Sequence, residues 1–302
     1  MQDILTRAGC FIAIIILGYI LRKINVFGEE AFKVLSKVVL KITLPAAIVT
    51  SFSGKEIDPM LFAIALIGLG GGIIYMLIAF LLNIREGKEK QAFEILNTSG
   101  YNIGNFTLPF VQSFLGPIGV ITTSLFDMGN ACICLGGSYS IASIVKGGGR
   151  FSIKTIAKSL SRSVAFDCYV IMAILSLANI SLPAPVISFA EIIGDANAFL
   201  AMLMIGVGFK LSGEKSQIGS IMRILAVRYG IALLIAFACY YLLPLSLEIR
   251  QALVLLPFSP IASAAPPYTE ELKGDVGLSS AVNSISIVCS IIFIVMILLI
   301  IL

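Results

Sequence analysis

The stretch "NTSGYNIGNFTLPF", Asn97 to Phe110, decides how this chain is read. It lies between apolar runs of bilayer grade, yet it holds Asn97, Asn102 and Asn105, is interrupted by Gly100, Gly104 and Pro109, and carries no charge. A buried amide without a partner costs about 1 to 3 kcal/mol, so these amides are either satisfied by something special or present to hold something. Their clustering around helix breakers favours the second reading.

Working outward, the 302-residue chain is 58% hydrophobic and 13% charged, with a mean hydropathy of +1.03. Apolar runs of about 18 to 26 residues recur, each long enough to cross about 30 Å of hydrocarbon as a helix. The pattern does not alternate, which excludes a barrel. The net charge of +4 resides in short loops, where it sets orientation, so no basic domain exists to bind nucleic acid. There is no histidine, which argues against a zinc site and against histidine-based catalysis. Cys10, Cys132, Cys134, Cys168, Cys239 and Cys289 sit inside apolar runs without a CxxC pair and read as small core residues. The N-terminus has Asp3 and Arg7 in place of a basic cluster and is read as the first span rather than a signal peptide.

The expected fold is an all-α polytopic membrane protein with ten transmembrane helices, at 4–21, 34–53, 60–83, 92–115, 118–145, 155–179, 186–211, 218–243, 250–271 and 276–302. Loops after odd-numbered spans hold Arg22, Lys23, Arg85, Lys88, Lys90, Lys146, Arg150, Lys154, Lys158, Lys210, Lys215, Arg223 and Lys273. Those after even-numbered spans hold only Lys55 and Arg250. The positive-inside rule then makes the odd loops cytoplasmic and puts both termini outside a cell (inner) membrane.

The basic glycine linker "KGGGRFSIK", Lys146 to Lys154, divides five spans from five, giving repeats at 1–147 and 148–302. Sliding the first half by 157 residues lays Pro109 over Pro266. Because five is odd, the second repeat enters from the opposite side, an inverted repeat of the kind found in secondary transporters. The ninth span, "LLPFSPIASAAPPY" from Leu255 to Tyr268, is broken like the fourth. Paired breaks in two inverted halves point to a midplane site, because broken helices leave N–H and C=O groups free for a ligand or ion.

Asn102 and Asn105 are three apart and share a helical face. In "SLFDMGNAC" of the fifth span, Asp127 and Asn130 are likewise three apart, and Asp127 is read as the only carboxylate well inside the spans of the first half. A lone acid there is expensive and should face the interior as a proton or ion site, or as an anchor. The tenth span offers Ser279, Asn283 and Ser286 but no acid. The expected substrate-binding set is Asn102, Asn105, Pro109, Ser263, Pro266 and Asn283, with Asp127 and Asn130 for a coupling ion or proton. Glu270 and Glu271 are read as interfacial, Asp195 as lying inside the seventh span or at its outer third, and Arg223 and Arg228 as snorkelling from the cytoplasmic end of the eighth.

Five segments, "LSKVVLKITLPAAIVTSF", "NTSGYNIGNFTLPFVQSFLGPIGV", "LFDMGNACICLGGSYS", "AFLAMLMIGVGFKL" and "PYTEELKGDVGLSSAVNSISIV", resemble, in this order, the auxin efflux carrier family of membrane transporters. That family includes plant auxin exporters and bacterial carriers assigned to malate or malonate. The resemblance implies a scaffold of the first, second, sixth and seventh spans. It also implies a transport part whose unwound fourth and ninth helices cross near Pro109 and Pro266, with asparagines there matching Asn102 and Asn105. Plant members often carry a long loop between halves, where this chain has only the glycine linker. The related bile acid sodium symporters share the architecture and use sodium at the crossover.

The expectation is therefore a secondary transporter, not an enzyme, that carries small carboxylates by an elevator-type movement, with no cofactor beyond coupling to Na+ or H+. A sodium-coupled symporter of the bile acid type is the alternative. A channel or receptor, and an intramembrane aspartyl protease using Asp127 and Asp195, come after it. The protease reading suffers because Ile192 stands where a second glycine is needed. The expected partners are a small carboxylate and the lipid bilayer, with a homodimer left open.

Overall fold

Without water to satisfy them, backbone N–H and C=O groups in hydrocarbon must pair within the chain, and apolar runs of this length do so as helices. The computed structural model describes residues 2–55, 57–209 and 217–302. Among these the chain is helical, and the one isolated bridge joins Tyr101 to Ile261. Lys210 and Lys215, counted above in a cytoplasmic loop, lie outside the described residues.

Helix α1 spans Gln2–Lys23. α2 (Ala31–Val38) runs through a π turn at Val39–Thr43 into α3 (Leu44–Phe52), which has Pro45 in its first turn. α4 covers Ala63–Leu82 and α5 covers Lys88–Thr98. α6 (Leu108–Cys132) folds as two runs, because Gly116 adopts φ 61° and ψ −159° ahead of Pro117. This turn falls in the gap expected between the fourth and fifth spans. A second π turn at Ile133–Gly137 leads to α7 (Ser138–Lys146). In the second half come α8 (Ile153–Leu160), α9 (Val164–Leu177), α10 (Ala184–Asp195), α11 (Asn197–Gly208), α12 (Ile218–Tyr241), α13 (Leu247–Leu255), α14 (Ala265–Glu271) and α15 (Val276–Ile301).

Helical residues occupy all ten expected windows. Among the described residues, length and composition alone identify six helices able to cross a membrane, or up to seven when the bent α8–α9 pair counts as one span. That pair corrects the sixth window, expected as one run over 155–179, because α8 and α9 meet at 81°. Ser163 caps α9 by accepting from the Phe166 N–H, so a new helix begins there. α8 alternates Lys154 and Lys158 with Ile153, Ile156 and Leu160 and has no buried residue, the pattern of a helix lying in the interface plane.

The helices pack in two groups. α1 lies along α11, and α3 packs on α9 and α10, while α4 packs on α5 and α6, α5 on α7, α12 on α13, and α14 on α15. Bilayer helices have no apolar drive to associate and rely on close approach at small residues. Gly206 lets the α11 backbone touch Ile15 of α1, and Gly129 lets α6 touch Ala65 of α4. Large apolar side chains such as Leu234 (72% exposed) and Ile192 (76%) face outward, whereas Thr122, Thr123, Ser124 and Asn97 are buried.

Candidate substrate site at the helix crossover

Two interruptions build the site. α5 stops at Thr98, and Ser99 and Gly100 carry the chain out of helix; Gly100 has φ 78°. A Cβ at Gly100 would lie 2.9 Å from Cys134 Sγ and 3.1 Å from Ala262 Cβ, so backbone freedom and space both require glycine. Helical structure resumes with a π turn at Ile103–Thr107. In the other half α13 tightens into a 3-10 turn at Leu256–Phe258, the chain runs non-helical past Pro260, and α14 starts at Ala265.

The two interruptions cross antiparallel at Tyr101 and Ile261, where the Asn102 N–H donates to Pro260 O at 2.9 Å. The bridged residues are 160 apart in sequence rather than 157. This corrects the placement of the crossing at Pro109 and Pro266. Each of these prolines sits in the first turn of the helix leading away from the crossing. At Pro266 the missing N–H would have no helical partner anyway, whereas Pro109 follows the π turn at Ile103–Thr107 and removes a donor from a run that is already helical.

Beside the crossing is a cavity of about 160 Å³, lined among others by Asn102, Asn105, Asp127, Asn130 and Ser263, so five of the expected site residues converge. Pro109, Pro266 and Asn283 are not in its wall. Asn283 braces it from behind, donating from Nδ2 to Ile261 O (3.1 Å) and Ala262 O (3.3 Å). Asp127 Oδ1 accepts from Asn130 Nδ2 at 2.7 Å, and its Oδ2 accepts from the Tyr169 hydroxyl at 3.0 Å. Asn130 is held in orientation by Tyr101, whose N–H donates to its Oδ1 (3.0 Å) and whose carbonyl accepts from its Nδ2 (2.8 Å). Asn105 is 9% exposed, and its buried Oδ1 has no hydrogen-bond partner in the protein. A Cβ on Gly104 would lie 3.8 Å from Asp127 Oδ2, so the acid stands against the start of the resumed helix.

Several groups were not legible as site residues. Ser163 and Tyr169 enter the cavity wall from the start of α9, and a single tyrosine in an apolar run gives no sequence signal. Arg228 does not snorkel: it is fully buried and bonds both crossing segments, donating to Thr98 O, to Ser259 O (2.9 Å) and to Pro260 O (3.1 Å). A signal existed, because Arg228 lies ten residues into its window. At about 1.5 Å rise per residue that is about 15 Å, half the hydrocarbon core and beyond easy snorkelling. Arg223 is also paired, with Glu94 and with Asn83 Oδ1 at 2.7 Å. Glu94 is itself buried, at the start of the fourth window. Asp195 is exposed on α10 and is absent from the wall around Asp127. Glu270 and Glu271 are exposed, and Glu271 accepts from the Tyr139 hydroxyl at 2.8 Å.

Residues 10–147 match the profile of a family described as "Membrane transport protein". An "uncharacterized transporter" of Methanothermobacter thermautotrophicus is 27% identical over 122 residues, 39% of this chain and 40% of that relative. The matched region thus spans about two fifths of the relative's length. With the first crossing segment, Asp127 and Asn130 all inside it, the matched region of this chain is similar to the auxin efflux carrier-like family of membrane transporters.

Proposed function

We propose that this protein is a secondary carrier of small organic anions, with ten spans in two inverted repeats and its cargo held in the crossover cavity. The observation that carries the reading is the cavity at the start of a resumed helix, lined by Asn102, Asn105 and Asp127; the buried, unpartnered Oδ1 of Asn105 is an acceptor and calls for a donor group of the cargo or for the proton or cation that enters with it. A helix start concentrates unpaired N–H groups and a partial positive charge, which suits a carboxylate. Among the described residues no lysine or arginine lines the cavity. A carboxylate cargo and Asp127 in so small a space repel one another unless a proton or cation enters with the cargo. The same arrangement therefore supports symport with a coupling ion.

An elevator movement would slide the α4–α7 and α12–α15 group against α1–α3 and α9–α11. Side-chain hydrogen bonds that cross that seam and would have to break include Tyr169 to Asp127, Gln112 Nε2 to Gly194 O (3.2 Å), Asn197 Nδ2 to Gln112 Oε1 (3.2 Å) and Arg7 to Ser113 O (3.2 Å). The test is flux in proteoliposomes, using a panel of labelled mono- and dicarboxylates with imposed sodium or proton gradients, alongside Asp127→Asn. Gradient-driven uptake should vanish in the variant while cargo exchange, which needs no net ion movement, survives. Equal loss of both at normal expression would reduce Asp127 to an anchor. Absence of counterflow for every carboxylate in the wild type would remove the organic-anion reading.

A further inference from the structure

Arg228 poses a question that the cavity does not answer. A guanidinium in the middle of an apolar helix, fully buried, is costly unless its charge is met. Among the described residues no carboxylate forms an ion pair with it. What meets it is backbone. Thr98 O is at the C-terminal end of α5, and Ser259 O and Pro260 O follow the turn that ends the α13 segment. A helix C-terminus carries about half a negative elementary charge, so two of them together match about one positive charge. The faces of Tyr75 and Tyr101 close over the guanidinium carbon, with centroids 5.1 and 5.4 Å away.

The same region would be where a bound sodium ion found its ligands, since interrupted helices release carbonyl oxygens toward one another. Here six of the carbonyls at the interruptions are occupied by side-chain donors. Arg228 takes Thr98 O, Ser259 O and Pro260 O, Asn130 takes Tyr101 O, and Asn283 takes Ile261 O and Ala262 O. Asn130 turns an N–H toward Asp127, and so offers a donor where a cation would want an oxygen.

The geometry points to Arg228 as the resident cation of the crossover, a positioning residue that ties the two interrupted helices together in place of a sodium ion. The helix pair is consequently complete without sodium. This rests on the carrier reading only in narrowing its coupling ion to the proton, and it stands apart from cargo identity, because its test needs no cargo: a failed flux screen leaves it intact.

The experiment uses the purified full chain in detergent, with thermal unfolding followed by circular dichroism while sodium chloride replaces choline chloride at constant ionic strength. Saturable binding of radiolabelled sodium is measured in parallel. The wild type should unfold at the same temperature in both salts and bind no sodium saturably. Arg228→Met, which keeps bulk but removes charge, should lower the midpoint by several degrees, and Arg228→Lys should recover part of the loss. Arg228→Ala, which vacates the carbonyls, should acquire stabilisation by sodium that choline does not reproduce. A saturable, sodium-specific rise in the wild-type midpoint would overturn the proposal, and so would Arg228→Met unfolding at the wild-type temperature. If the variants fail to fold, the wild-type measurements decide alone.

Discussion

The asparagines around the crossing divide by what their side chains are bonded to. Asn130 satisfies both backbone groups of Tyr101, and Asn283 satisfies two carbonyls of the opposite segment. Replacing either by alanine leaves buried backbone groups unpaired at about 1 to 3 kcal/mol each, so the melting temperature should fall. Asn105 Oδ1 has no protein partner to lose. Asn105→Ala should therefore leave melting nearly unchanged and weaken cargo binding by about 1 to 3 kcal/mol, and Asn102→Ala should behave likewise. Parallel melting and binding measurements on the four variants check this. Unfolding of Asn105→Ala with undiminished binding in the folded remainder would make it helix glue.

Among the elements, the tightest contacts are made where a glycine removes its side chain from between two helices. A Cβ at Gly129 would meet the carbonyl of Ala65, and one at Gly206 the carbonyl of Ile15, both backbone atoms with little room to yield. Gly230, on α12, has nothing within 4 Å of a Cβ. Gly129→Ala and Gly206→Ala should thus each destabilise by about 1 to 3 kcal/mol through overpacking. Gly230→Ala should be neutral or slightly stabilising, because alanine is the better helix former. Thermal unfolding of the three purified variants is the measurement. Equal melting of all three would mean that these helices do not depend on close backbone approach.

For the whole molecule, orientation in the membrane governs the inverted-repeat reading. Lys88 and Gly148 are exposed in segments expected to be cytoplasmic. The turn after the fourth span is expected outside, but Gly116 is a poor place for a cysteine, because φ 61° with ψ −159° strains any side chain. Ile118, 38% exposed just beyond it, is the better reporter. Single cysteines at Lys88 and Gly148 should react with impermeant thiol reagents only from the cytoplasmic side, and one at Ile118 only from outside. Reversed labelling would remove the argument for inverted halves.

What the sequence by itself determined follows from local chemistry. Apolar length specified helices, because a backbone in lipid has no other way to pair its polar groups. Gly100 and Pro260 announced the interruptions, and Asn102, Asn105 and Asp127 announced polarity that hydrocarbon tolerates only for a purpose. The order of five motifs led to the transporter resemblance that the match over residues 10–147 supports. What tertiary structure decided was every relation between segments far apart in the chain. It placed the crossing at Tyr101 and Ile261, moved Pro109, Pro266 and Asn283 out of the cavity wall, and brought Tyr169 in from another helix. It also turned Arg228 from a presumed snorkelling side chain into the tie between two helix ends. The physical reason is range: propensity and hydropathy act over a few neighbouring residues. Which buried donor meets which freed carbonyl depends on helices closing around a common point, and only the folded chain supplies that point.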